Sequence, residues 1–159
     1  CACRASEAMR ADFDDLAALA DASLELRLLS VMHAWPGYYF AVQRVGGVVA
    51  GRVIVRFDDD PTIRQYAGNI AYEIDPAHRG HGYAARACGL LRPIARHHDA
   101  DELWIVTAPD NVASCRTAER LGGEYVETLE VPEGLDVYAL GLRWARRYRW
   151  RVDPVRAGA

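Results

Sequence analysis

The segment Ile74-Asp75-Pro76-Ala77-His78-Arg79-Gly80-His81-Gly82-Tyr83-Ala84 constrains this chain more than any other. It reads as the end of an apolar strand, a turn set by Asp75-Pro76, and the first turn of a helix over residues 80–97. The start of a helix leaves about four backbone N–H groups without partners and carries a partial positive charge, so it attracts phosphate oxygens. Small residues at Gly80, Gly82 and Ala84 leave room for such an anion to approach the backbone directly. The same glycines also suit a plain strand-to-helix turn, and the loop by itself leaves both readings open.

The chain around this loop alternates strands and helices. Residues 12–32 carry Phe13, Leu16, Ala20, Leu24, Leu28 and Met32 in steps of three or four, which predicts a long amphipathic helix broken at Trp35-Pro36-Gly37. Residues 38–45 are aromatic and β-branched, Gly46-Gly47 is a two-residue hairpin turn, and residues 48–57 return as a strand. Within that strand Gly51 marks a bulge or a close backbone approach. Residues 58–65 read as loop and residues 69–74 as a strand. Pro93 should kink or shorten the helix over 80–97 near Leu91. A strand over 103–107 follows, then a helix over 111–121 stopped by Gly122-Gly123, a strand over 124–131 and a connection over 132–142. In the final strand Tyr148, Trp150 and Val152 alternate with Arg147, Arg149 and Arg151. This order predicts an α/β (α+β) fold, a mixed sheet with helices on its faces.

Two segments then coincide. Arg79, Gly82 and Ala84 stand in the register Arg/Gln-x-x-Gly-x-Gly/Ala, and Asn111, Ser114, Leu121 and Gly122 fall on the helix after the next strand. Over about residues 38–152 the chain resembles the GNAT superfamily of acetyltransferases. Within it, the ribosomal-protein N-terminal and antibiotic acetyltransferases are most similar, since they often have Asn-x-x-Ser at the second segment. The resemblance implies an acyl-CoA N-acyltransferase fold with a mostly antiparallel central sheet. It also implies acetyl-coenzyme A as co-substrate, with no metal. The pyrophosphate would lie on Arg79, Gly80, His81, Gly82, Tyr83 and Ala84. The pantetheine arm would face Asn111 and Ser114, and a backbone N–H near Ile74 would meet the oxyanion. The acceptor implied is a primary amine, on a small molecule or a protein N-terminus, attacking directly in a ternary complex. A dinucleotide-binding fold is excluded by the glycine spacing, and a nucleoside-triphosphatase loop by the lack of any Gly-Lys-Ser/Thr.

Such chemistry needs a base, because an amine of pKa about 10.4 is neutral in only about one molecule in a thousand near pH 7. The two places where family members commonly carry a glutamate correspond to Gly68 and Val106, and the tyrosine that often protonates the thiolate is replaced by Ala118. Glu73, which interrupts the apolar strand beside the loop, is the best local base, with its side chain opposite to Ile70, Tyr72 and Ile74. Tyr72 and Tyr138 are the candidate proton donors. His81 suits anion contact or plain exposure better than catalysis. The missing groups also motivate an alternative, a sensor that binds acyl-coenzyme A without turning it over.

Composition bounds the rest. At 159 residues, with 51% apolar and 26% charged residues, one domain over residues 1–159 is expected, its residues 1–11 irregular or truncated. No stretch approaches the roughly 20 apolar residues of a membrane span, and a net charge of -3 argues against a nucleic-acid partner despite the arginines of the last strand. Cys1, Cys3, Cys88 and Cys115 match neither a zinc site nor a disulfide framework, so a reduced, cytoplasmic setting is expected, with Cys88 and Cys115 as small buried hydrophobes. Whether the chain forms a homodimer is left open.

Overall fold

A computed structural model describes residues 19–32 and 36–153. Seven strands form one sheet: β1 (Leu24–Met32), β2 (Gly37–Arg44), β3 (Val49–Arg56), β4 (Ile70–Ile74), β5 (Glu102–Thr107), β6 (Glu124–Glu130) and β7 (Trp144–Arg151). Their order is β1-β2-β3-β4-β5-β7-β6. All neighbours run antiparallel except β4 and β5, which are parallel. The helices are short: α1 (Tyr83–Gly89), α2 (Arg92–His97), α3 (Val112–Arg120) and α4 (Asp136–Ala139). The sheet is thus mixed and mostly antiparallel, as expected.

The first expected helix is corrected. Residues 24–32 are strand β1, and residues 12–18 of that helix lie outside the described residues. The two patterns share their apolar anchors, because a spacing of four returns to the same face of a strand and nearly to the same face of a helix. Leu26 breaks the tie: Leu24 and Leu26 are buried, Glu25 and Arg27 are exposed, and the period is two. Asp21 starts the strand by accepting from the N–H groups of Ser23 and Leu24, and its carboxylate also receives the Arg86 guanidinium of α1 at 2.7 Å.

Other expectations hold with a local reason. The β2–β3 hairpin does turn at Gly46-Gly47, both at positive φ, but over residues 45–48 rather than two residues, since Arg44 donates its N–H to the Val48 carbonyl and accepts the Gly47 N–H. Gly51 is both features at once. Ala50 is the extra residue of a bulge, since Val42 faces Gly51 and Gln43 faces Val49, and a Cβ on Gly51 would lie 2.2 Å from the carbonyl oxygen of Glu73. Pro93 divides the expected helix into α1 and α2 and sits in the first turn of α2, where no N–H partner is lost. Residues 63–67 are a wide helical turn rather than loop, and the 132–142 connection contains α4.

The core lies between the sheet and α1 to α3. Tyr38, Phe40, Val53, Ile70, Leu103, Ile105, Tyr148 and Trp150 meet Ala87, Cys88, Leu91, Ile94, Cys115 and Ala118. Both cysteines are buried there as free thiols, and burial pushes the Cys88 thiol up to about 12. On the other sheet face Arg147 is itself buried. Its guanidinium lies 4.3 Å from the Trp104 ring centre, pairs with Glu127 and donates to the Arg64 carbonyl, which clamps the 63–67 turn onto the sheet.

Candidate functional site

The site begins where the sheet comes apart. β3 and β4 pair at five consecutive positions, whereas β4 and β5 pair only at Ile70 and Ile105. Asn69 closes one end of this gap. Buried to 4% exposure, it gives its backbone N–H to the Trp104 carbonyl at 2.7 Å, accepts the Trp104 N–H on its side-chain oxygen at 2.8 Å, and donates Nδ2 to the Arg56 carbonyl at 3.0 Å. Beyond it the strands part. The Asn69 carbonyl and the Asp75 N–H both bond to β3, so by strand alternation Tyr72 and Ile74 direct their backbone groups the other way, into the opening. The Ile74 carbonyl there is taken by Arg79 Nε at 2.9 Å.

The opening leads into a cleft of about 530 Å³ between the end of β4, the loop over residues 78–84 and α3. Gly80 and Gly82 both have positive φ, +83° and +73°, and Gly82 is the residue from which α1 starts. Such a backbone favours glycine and presents N–H groups outward. Of the sequence-predicted residues, Glu73, Ile74, Arg79, Gly80, Gly82, Tyr83, Ala84, Asn111 and Ser114 all line this cleft. His81 and Tyr138 do not. The His81 ring stacks on Tyr83 at 5.2 Å with its Nδ1 3.2 Å from the His78 carbonyl oxygen. Tyr138 lies on the β6–β7 connection, where its hydroxyl donates to Glu133 at 3.2 Å and the Arg143 guanidinium sits 3.8 Å from its ring centre.

The cleft also holds residues the sequence reading passed over. Arg116 and Arg120 line it from α3, and together with Arg79 and His78 they make one end basic, while Glu73 is the one carboxylate in the lining. Their spacing of four puts them on one helix face with Ala113 and Thr117, which a helical projection of residues 111–121 would have revealed. Asn111 has a structural duty as well. It caps α3 by accepting the Ser114 N–H on Oδ1 at 3.1 Å. The Tyr72 hydroxyl reaches across from β4 to within 2.8 Å of Ser114 Oγ and 3.1 Å of the Ser114 carbonyl. Burial pushes its pKa up to about 12, so it stays protonated.

Glu73 is exposed and faces Arg52 of β3 across the ladder, on the sheet side opposite to Tyr72. At Gly68, φ is +77° and a Cβ would lie 2.9 Å from the Trp104 carbonyl oxygen, so no side chain fits there. Ala118 is fully buried. A second cavity, of about 280 Å³, lies at the opposite end of β4 and β5 against Phe57 and His98, with Asp58, Asp59, Asp99 and Asp101 on its wall. Among the described residues no group of three or more His, Cys, Asp or Glu is placed to hold a metal ion, and no helix is long and apolar enough to cross a membrane.

Comparison with known proteins bears on what this cleft does. The family model described as an acetyltransferase (GNAT) domain matches residues 4–124. A search of curated proteins finds no match. Among solved structures the chain is similar to RimL, a ribosomal L7/L12 alpha-N-protein acetyltransferase, with 17% identity and a TM-score of 0.64, covering 84% of this chain and 96% of that one. A Vibrio cholerae protein described as a ribosomal-protein-serine acetyltransferase gives 18% identity and a TM-score of 0.61 with the same coverage. The microcin C7 self-immunity acetyltransferase MccE, solved with acetyl-CoA and AMP, gives 20% identity and a TM-score of 0.56 over 72% of this chain, which spans 61% of the MccE chain. At these identities the structures establish the fold, while the family match covers most of the sequence. The family model spans the parted strands β4 and β5, the glycine-lined loop and α3 alike, and the chain belongs to the acetyltransferase (GNAT) family.

Proposed function

We propose that the cleft holds acetyl-coenzyme A and that the enzyme acetylates a primary amine, on a small molecule or a protein N-terminus, by direct attack in a ternary complex. The observation that carries this reading is the polarity of the cleft. Its loop end combines Gly80, Gly82 and the start of α1 with Arg79, Arg116 and Arg120, which suits a pyrophosphate, and its other end is the gap between β4 and β5. The Ile74 N–H, fixed in that gap, is the donor for the oxyanion, and a donor held by a strand costs no reorganisation as charge develops. Glu73 takes the proton from the attacking amine, directly or through one water. The solved relatives named for acetylating ribosomal proteins support a protein N-terminus as acceptor.

Thiol release from acetyl-coenzyme A, measured with small amines and with short peptides bearing free N-termini, tests the proposal. Turnover with at least one amine class is expected. Tight binding of acetyl-coenzyme A with no thiol release from any of them favours the second reading, a non-catalytic sensor, which the side-chain-free Gly68 and the buried Ala118 motivate.

A further inference from the structure

The cleft opens on the helix side of the sheet, where α3 and the loop over residues 78–84 line it. An acetyl donor lying there leaves the opposite sheet face to the acceptor, and that face carries its charges in a definite order. Strand register places Arg27 of β1, Ala41 of β2, Arg52 of β3 and Glu73 of β4 in one row. Residues directly opposite share a face, and the alternating residues Leu26, Val42, Val53 and Tyr72 belong to the core on the helix side. The next row, Tyr39, Ile54 and Ala71, is half-buried and carries no charge. Two arginines of β7 on the same face are already paired, Arg147 with Glu127 and Arg149 with Glu124. Arg27 and Arg52 differ from them. Both are exposed, and among the described residues neither guanidinium has an ion pair or a hydrogen bond. Glu25, the other charged residue of β1, lies opposite Gln43 instead.

We propose that Arg27 and Arg52 bind acidic side chains of the acceptor, so that the enzyme selects a peptide N-terminus with Asp or Glu among its second to fourth residues. This rests on the acetyl-transfer reading above. Strands about 4.8 Å apart put the Arg52 backbone about 5 Å, and the Arg27 backbone about 15 Å, from that of Glu73. An extended peptide advances about 3.3 Å per residue. With its amine at the Glu73 end of the row, residues 2 and 3 come level with Arg52, and residue 4 comes within reach of the Arg27 side chain. Each guanidinium offers a planar pair of donors that fits a carboxylate, and Ala41 between them adds only a methyl group. A free amino acid spans the first of these distances and not the second. Were Arg52 there only to steady Glu73, an arginine two strands farther along the row would have no part to play.

The test compares thiol release from acetyl-coenzyme A with three tetrapeptides that carry glutamate, glutamine or lysine at both the second and fourth positions. An exposed ion pair is worth up to about fivefold, so the wild type should favour the glutamate peptide over the glutamine one by about tenfold in kcat/KM, through KM. The lysine peptide should be the poorest, and the spread should narrow as salt rises. Arg27→Gln and Arg52→Gln should each lower the glutamate-to-glutamine ratio, and the double variant should bring it to about one, with melting temperatures confirming that the variants fold. Equal use of the glutamate and glutamine peptides, or a preference that survives both substitutions, would overturn the proposal. A fall in kcat shared by all three peptides in Arg52→Gln, with the ratio kept, would likewise overturn it and leave Arg52 a neighbour of the base. Free glutamate outperforming the peptides without any response to Arg27→Gln would overturn the peptide as acceptor. Absence of thiol release by the wild-type enzyme with every amine would instead overturn the acetyl-transfer reading beneath.

Discussion

Under the proposed reaction, Glu73 and the two arginines of α3 divide the work of the cleft by charge. Glu73→Gln removes a proton acceptor but little volume. It should leave acetyl-coenzyme A affinity unchanged and lower kcat by about 10²-fold or more. Steady-state kinetics at pH 7 beside calorimetry provides the check, and near-normal turnover would assign the proton to another group. Arg116 and Arg120 predict the converse pattern. Both are exposed cations at the wall of the cleft, so Arg120→Glu should raise the acetyl-coenzyme A dissociation constant at least tenfold with the melting temperature nearly unchanged. The loss should shrink as salt rises, because exposed charges are screened. Equal affinity at low salt would remove Arg120 from the phosphate end.

At the scale of elements, the caps and turns decide what the site tolerates. Asn111→Ala loses the N-cap of α3 and should cost about 1 kcal/mol by denaturant unfolding. Its first effect is thus on the helix that carries Ser114, Arg116 and Arg120, a duty the sequence reading had assigned to the ligand alone. Gly82, at φ +73°, makes any side chain strain the loop by about 1 to 2 kcal/mol, even though a Cβ would meet nothing closer than Arg120 at 4.0 Å. The Arg79 to Ala84 loop was legible because glycine and helix-start chemistry are local. Strand β1 was not, because its anchors Leu24 and Leu28 fit a helix as well as a strand, and only pairing with β2 makes the difference visible. The Tyr72–Ser114 contact spans 42 residues of sequence, and no local pattern announces such a meeting.

For the molecule as a whole, the end of the sheet away from the cleft sets the response to acid. His98 accepts or donates at 2.7 Å to the Tyr38 hydroxyl and stacks on Phe57 at 4.2 Å. Burial, then the neighbouring His97, lowers its pKa to about 4, against an ordinary 6.5. The unfolded chain therefore binds a proton that the folded one refuses. Stability from this group is fully present above pH 6.5 and is lost as pH falls from there to about 4. Melting temperatures across that window should drop, and His98→Phe should flatten the drop; an unchanged slope would place the acid sensitivity elsewhere. The packing of Phe57 and Tyr38 around a histidine was not foreseeable from residues 38, 57 and 98 read separately.

The parted strands have one more consequence, on the clock of amide exchange. In an intact sheet, central amides exchange only when the whole domain opens. Here β4 lies in the middle of seven strands, yet past Ile70 only its β3 side has a ladder. Protection along β4 should therefore alternate, with Ala71 and Glu73 exchanging slowly and Tyr72 and Ile74 quickly, although all four are neighbours in the chain. A ligand that fills the gap and bonds to the strand would erase the alternation, so deuterium uptake at two amides reports occupancy of the site without any measurement of turnover.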